Sequence, residues 1–430
     1  MRRPFRNQQP SFSMKSFPWI AIFLFMPPVF AFGWGQPHHA ITRASLETLP
    51  TWEKQLLGEE FKALADEYCM IPDYVYSNKA NARFAAMDSR PKEVYLQVLH
   101  LPTVQTESLE VITFFMQKAV LALRERRTGD AARFMGTICH LIEDYGSPSH
   151  TMPGDNQFTL LQQFLPPSDD VKDKLMHGPV ENGEFTLSLP GYQPNLLGVS
   201  VKEAAWRLMH RVHEGIIHAR STTIPILQAL NEGDASGVTK HQMRAAMTNA
   251  QIVADAMHTI LCLGAQKLAK MPTSVLIDTF WPLEAEKLYY PQTQFFSSPY
   301  WGYPRVGSVL AAGMKPSPLM LKLDSGVKKF TSGISAGMGK PLTFVLPQGV
   351  FRRFRVLVGL HPEIGKKGRV EFALRGDDRP LASITLNGTD TARNLECDVM
   401  GVSQLQLLLT SRGLDSKSNY AIWAEPELVK

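Results

Sequence analysis

The sequence predicts an all-α helical bundle followed by an all-β sandwich, with an irregular linker between them. Three observations carry this. In ESLEVITFFMQKAVLALRERR, VKEAAWRLMHRVHEGIIHAR and TKHQMRAAMTNAQIVADAMHTILCLGAQKLAK, apolar residues recur every three or four positions, the spacing that turns one helix face toward a core. After about residue 276 the texture becomes rich in proline and aromatics, as in PLEAEKLYYPQTQFFSSPYWGYPRVG. Beyond that come short alternating runs, PLTFVLP, FRRFRVLVGL, GRVEFALRG, LASITLNG and SQLQLLLTS, separated by glycine-containing turns in the manner of an antiparallel sandwich.

Taken in order, residues 1–33 read as an export signal. Arg2, Arg3, Arg6 and Lys15 precede the apolar run FPWIAIFLFMPPVFAFG, which has the length of a signal-peptide core and is short for a membrane span. Met14 offers a more typical start, MKSFPWIAIFLF, and RRPF loosely resembles a twin-arginine signal although it stands far from the apolar run. Ala31 and Gly33 supply the small residues wanted before a cut, which makes Trp34 the expected new amino terminus and a secreted or periplasmic location the expectation. Residues 34–275 form the expected helical domain, interrupted by loops between Asp73 and Pro102 and between His150 and Gly191, where proline, glycine and asparagine accumulate. Residues 276–311 are the expected linker and 312–430 the expected sandwich. No internal repeat or low-complexity segment stands out.

Composition sets bounds. A chain of 430 residues exceeds what one core usually organises and suggests two or three domains. Hydrophobic residues at 44% and charged residues at 20% exclude a disordered protein. The net charge of +5 is diffuse, with no run of five like charges, so charge gives no argument for nucleic acid. Cys69, Cys139, Cys262 and Cys397 lack any C-x-x-C spacing, which argues against a zinc ribbon or a disulfide-dense scaffold, although one disulfide stays open in an exported chain.

Chemistry concentrates in GTICHLIEDYGSPSH, residues 136–150. His140 and Asp144, four apart, share a helix face and can reach one object. Pro148 cannot continue that helix, so the chain turns before it delivers His150. Elsewhere stand His38 and His39, Asp73 in MIPDYVYS, His100 in QVLHLPT, and His177 with Glu181 in MHGPVENG, where Pro179 suggests the opening of a helix. Imidazole with carboxylate, without thiolate, suits zinc. A buried histidine bonded to a carboxylate is the plain structural alternative for any one pair, and His100 has little motif around it. His210, His213, His218, His241 and His258 lie on expected helices without matching partners and read as structural or exposed.

The set Trp34, His39, Asp73, His100, then His140, Asp144 and His150, then His177 and Glu181, resembles the trinuclear site of the zinc-dependent phospholipase C family and its relatives, the single-strand-specific nucleases. The resemblance covers roughly residues 34–275. It implies that Trp34, through its free amine and carbonyl, and His39 hold one zinc, that Asp73, His100 and His140 hold a second with Asp144 bridging, and that His150, His177 and Glu181 hold a third. His39 is preferred to His38 because the family's short W-G-x-x-x-H spacing lands there. The resemblance implies phosphoester hydrolysis by metal-activated water, with Asp73 also orienting or deprotonating that water. The interval from His150 to His177 is longer than in compact members and contains LPPSDD, so the substrate-facing loops differ.

The stretches GKPLTFVLPQGVFRRFRVLVGLHP, GRVEFALRGD and CDVMGVSQLQLLLTSRGLDSKSNYAIWAEPEL, from about residue 312 onward, resemble the NPCBM module, a galactose-binding-like sandwich. Asn419 and Tyr420 stand where that pattern usually has aspartate and histidine, which puts any calcium or sugar contact there in doubt. Trp423 reads as a core residue more readily than as a platform for sugar. The expectation is an exported three-zinc phosphoesterase of the phospholipase C type, with phospholipid favoured as substrate and a surface glycan as partner of the sandwich. The alternatives are a nuclease on the same core and a non-catalytic, zinc-stabilised glycan-binding protein. Glu181, where the nucleases have aspartate, favours the lipase reading.

Overall fold

The computed structural model describes residues 36–76, 90–96, 103–151, 159–283, 305–310, 316–336, 341–414 and 418–430. Trp34 and His100 therefore lie outside the described residues. All that follows belongs to one compact unit, Phe32–Lys430.

The first part is helical, as its periodicity requires. Helices α1 (Pro37–Glu47), α2 (Thr51–Leu57) and α3 (Glu60–Asp66) lead through a short turn at Tyr68–Met70 to a wider turn at Pro72–Tyr76, followed by α4 (Arg90–Leu96). The long elements are α5 (Thr106–Arg124), α6 (Thr128–Tyr145), α7 (Val201–Glu232) and α8 (Ala235–Ala265). Helix α7 starts on a side-chain cap: Ser200 accepts the Glu203 backbone N–H, and Glu203 Oε2 accepts the N–H of Val199, one residue before the cap, at 3.3 Å. It ends at Gly233, whose φ of 68° is the left-handed conformation that glycine adopts without strain. Helices α5, α6, α7 and α8 pack on one another and bury residues such as Phe115, Met135, Met209 and Met257.

The second part is antiparallel β. Strands β1 (Ser274–Leu276), β2 (Arg305–Val306), β6 (Gly333–Ala336), β8 (Arg353–Leu360), β11 (Arg393–Asp398) and β13 (Ala421–Val429) form one sheet in the order β11-β8-β13-β6-β2, with β1 also on β13. Strands β7 (Leu342–Val345), β9 (Arg369–Gly376), β10 (Arg379–Asn387) and β12 (Gln404–Ser411) form a second, ordered β10-β9-β12-β7. A smaller sheet joins β3 (Ser308–Leu310), β4 (Pro316–Leu323) and β5 (Gly326–Phe330). Residues alternate in burial along β9 and the first part of β8, the period-two pattern of strands with one face on a core. Trp423 is fully buried and meets Phe372 of the second sheet edge-on at 5.2 Å, a core tryptophan. Pairing begins at Ser274, opposite Val429, and 305–310, within the expected linker, pairs as β2 and β3.

One hydrophobic core runs through both parts. At their seam Trp206 of α7 stacks on Phe280 at 4.3 Å, meets Phe351 edge-on at 5.4 Å and donates its indole N–H to Val345 O at 2.7 Å. Lys430 reaches the fully buried Glu203 at 2.9 Å. The seam thus joins the cap of α7 to the end of β13.

Candidate metal centre

The centre is built where α6 crosses α1 and the Tyr68–Met70 turn. Gly136 makes that crossing possible: a Cβ there would lie 2.4 Å from Tyr68 O, closer than backbone atoms tolerate. One turn further along α6, His140 donates from Nδ1 to Cys69 O at 2.6 Å. That bond fixes the tautomer and leaves Nε2 as the lone-pair donor facing inward. His140 Nε2 lies 3.3 Å from Asp144 Oδ2 and 3.5 Å from Asp73 Oδ1. On the other side of Asp144, Oδ1 faces His38 Nε2 at 3.5 Å. His38 stacks on His140 with ring centroids 4.1 Å apart, and its Nδ1 donates to Glu143 Oε2 at 2.6 Å.

Of the two adjacent histidines of α1, it is the neighbour of the expected ligand that stands beside Asp144. His39 donates from Nδ1 to Ala65 O at 2.7 Å, and His38 occupies the place beside Asp144. The reason is the phase of α1. His38 and Thr42 are four residues apart on the face that also buries Ile41 and Ser45, and both bond the two oxygens of Glu143.

A second cluster follows Pro148. After α6 ends at Tyr145, the turn Ser147–His150 closes with His150 N–H on Ser147 O at 3.1 Å. Helix α7 clamps it: Thr223 donates to Pro148 O at 3.0 Å, and Arg220 donates to Thr151 O at 2.7 Å. His177 and Glu181 arrive on consecutive tight turns with Val180 N–H on Met176 O and Asn182 N–H on Gly178 O, anchored to α8 by Gln242. Glu181 Oε1 lies 3.5 Å from His150 Nε2 and 3.2 Å from His177 Nδ1, and accepts the Ser147 hydroxyl at 2.8 Å.

These separations test whether the residues fit zinc. Four of the six imidazole–carboxylate distances, at 3.3–3.5 Å, are long for hydrogen bonds, which run about 2.7–3.2 Å; the exceptions are His177–Glu181 and the orienting His38–Glu143 bond. The four match the edge of a tetrahedron around an ion bound at about 2.0–2.1 Å, which is about 3.3 Å. In each cluster the ligand atoms of His38, His140 and Asp144, or of His150, His177 and Glu181, lie within 4.8 Å of one another. His38 Nε2, Asp144 Oδ1 and Glu181 Oε2 are buried without a hydrogen-bond partner among the described residues. Leaving such atoms unmet is costly, and a cation offsets the cost. The donor set fits zinc.

Electrostatics agree. Burial pushes the Asp144 carboxyl up, but His140, His38 and His150 outweigh it and hold it well below the usual range. Burial lowers His140, while Asp144 and Asp73 more than reverse this and leave it well above its ordinary value. His38 is also raised: burial and His140 oppose protonation, and Asp144 with Glu143 prevails. Burial drives the Glu181 carboxyl up to about 7 against the pull of His177 and Ser147.

Two neighbours escaped the reading of the sequence. Glu143 orients His38, and its signal was its place beside Asp144 on α6. Tyr95 of α4 donates to Asp144 Oδ2 at 3.2 Å, with no sequence signal at all. The four cysteines are free and buried.

No curated protein matches this chain. Among solved structures, the CBM51-2 and INT domains of Clostridium perfringens ZmpB are 16% identical over 36% of this chain, with a TM-score of 0.30, and the match spans only 31% of that chain. The CBM51 of Clostridium perfringens GH95, solved with methyl-galactose, is 17% identical over 36% of this chain and 100% of its own, with a TM-score of 0.30. The alpha toxin of Clostridium absonum is 9% identical, covering 93% of this chain and 98% of its own at a TM-score of 0.33. Residues 301–429 match the family model of the NPCBM/NEW2 domain, so the β-rich end of the chain is a module of that kind.

Proposed function

We propose that the chain is an exported, zinc-dependent phosphoester hydrolase of the phospholipase C type. The observation that carries this is Asp144, a buried carboxylate that offers one oxygen to His38 and the other to His140. A carboxylate so placed would be able to serve two metal positions. Zinc held there supplies Lewis acidity toward a phosphate oxygen and lowers the pKa of a bound water toward about 7. His38, His140, Asp73 and Asp144 would hold the paired positions, and His150, His177 and Glu181 would hold a third. The Trp34 amine and His100 complete the proposed set. Asp73, beside His140, would orient the attacking water and accept its proton. Glu143 and Cys69 O fix the two stacked imidazoles so that Nε2 of each faces inward.

Phospholipid is the favoured substrate. The excursion between His150 and His177 presents Leu160, Phe164 and Val171 to solvent at 54%, 58% and 69% exposure, which suits an acyl-chain surface. No described helix is long and apolar enough to cross a membrane. The NPCBM/NEW2 module would hold the enzyme to a glycan.

The test is metal analysis of the processed protein with turnover on phosphatidylcholine, single-stranded DNA and a soluble aryl phosphodiester. Three zinc ions per chain are expected, with phosphatidylcholine cleaved fastest and activity lost to a chelator. A fully loaded protein that cleaves none of the three removes the hydrolase reading, and preference for DNA replaces the lipase reading with the nuclease one.

A further inference from the structure

Away from this centre, Glu53 of α2 meets His258 and Cys262 of α8. His258 and Cys262 are four apart and share a helix face. His258 Nδ1 lies 2.6 Å from Glu53 Oε1, and Cys262 Sγ lies 3.8 Å from both of those atoms and 3.7 Å from His258 Nε2. Glu53 is fully buried, and its Oε2 has no hydrogen-bond partner among the described residues. No cation other than His258 is paired with this carboxylate among the described residues.

We infer that Glu53, His258 and Cys262 form a further metal site, separate from the proposed catalytic centre, that takes a single zinc-like ion and clips α2 to the end of α8. A carboxylate oxygen, an imidazole nitrogen and a thiolate are all zinc donors. In a tetrahedral site the sulfur stands about 3.5 Å from the other donors, given Zn–S of about 2.3 Å and Zn–N or Zn–O of about 2.0–2.1 Å. The observed 3.8 Å is close to that. Only the Nδ1–Oε1 pair, now joined by a proton, must open to about 3.3 Å, and the ion takes the proton's place while the thiol releases its own. His258 remains partly exposed, which leaves an entry path and a fourth position for water. The site departs in kind from the catalytic clusters, whose donors are nitrogen and oxygen alone.

That difference makes it testable independently of any enzymatic activity. The full-length protein is reduced, stripped and loaded with cobalt(II), and thiolate-to-cobalt charge transfer is followed in the near ultraviolet. The expected result is a charge-transfer band of one equivalent that vanishes in Cys262→Ser and His258→Asn and persists in Cys69→Ser. Total bound metal should fall by one equivalent in the first two variants, with catalytic turnover retained wherever wild type shows it. Circular dichroism confirms that each variant is folded, and two different variants guard against one that is not. A wild-type protein without the band, or a band that survives both substitutions, or one lost only in Cys69→Ser, overturns the inference. Absence of phosphoesterase activity leaves this readout untouched and bears only on the proposed function.

Discussion

His38 and His39 differ by one position and by everything that matters to a metal. His38 Nε2 faces Asp144 with its other nitrogen fixed by Glu143, while His39 makes an ordinary bond to Ala65 O. The expected outcome is that His38→Ala loses one zinc equivalent and at least about a hundredfold in turnover, the scale of removing one electrostatic donor. His39→Ala should keep its metal and lose about 0.5–1.5 kcal/mol of stability, the usual net worth of one hydrogen bond. Metal analysis of the two purified variants decides, and the reverse ranking would return the ligand to His39. Sequence spacing made His140, Asp144, His150, His177 and Glu181 visible, because fixed offsets on one helix or turn imply a shared direction. It could not choose between adjacent histidines. The face that α1 turns inward is set by how Ile41, Ser45 and Leu46 pack against the rest of the bundle, and residue spacing from Trp34 carries no information about that rotation.

At the level of elements, α6 and the Tyr68–Met70 turn are held together by an absent side chain. Gly136→Ala adds a Cβ that would meet Tyr68 O at 2.4 Å and Tyr68 Cβ at 2.6 Å, so the turn must move and the His140–Cys69 bond must lengthen. The better helix propensity of alanine, about 1 kcal/mol, opposes a packing penalty of about 1–3 kcal/mol. Stability should therefore fall by about 0–2 kcal/mol, whereas metal affinity should fall about 10- to 100-fold, as when a ligand loses its orienting partner. Zinc titration against a competing chelator measures this, and unchanged affinity would show that the crossing does not position His140. Helix α7 carries a different sensitivity. His210, buried against Trp206 and Phe280, and His213 are held neutral by burial, with pKa values down to about 3 and about 4. Histidines in an unfolded chain titrate near 6.5, so between about pH 6.5 and 4 the unfolded state binds protons that the folded state refuses. Stability contributed by these two is complete above about pH 6.5 and falls as pH falls. His210→Gln, which keeps an acceptor for the Trp281 N–H, should flatten the acid limb of a denaturation-midpoint profile, and an unchanged slope would count against a neutral His210.

For the whole molecule, the helical periodicity and the alternating strands were legible because each repeats locally, but the way the two parts join was not. The sequence presents 276–311 as a proline-rich spacer; in the structure β1 pairs with β13 from Ser274, just before it, 305–310 within it pairs as β2 and β3, and Trp206 reaches across to Val345. Such a seam depends on contacts between residues more than a hundred positions apart, which no local pattern encodes. Its consequence is cooperative unfolding. Trp206 is 1% exposed and sits in the same continuous core as the helical residue Met209 and the strand residues Val345 and Phe354. Truncating it removes a large buried ring together with the hydrogen bond to Val345 O, a loss of about 3–5 kcal/mol. If helices and sheets were independent bodies, calorimetry of the zinc-loaded protein would resolve two transitions and Trp206→Ala would shift only the helical one. The shared core instead predicts a single wild-type transition, with helical ellipticity and the near-ultraviolet signal of the tryptophans lost together, and a variant in which both signals fall at one lower temperature. Two wild-type transitions with only one displaced by the substitution would show that the seam is a contact between separately stable parts.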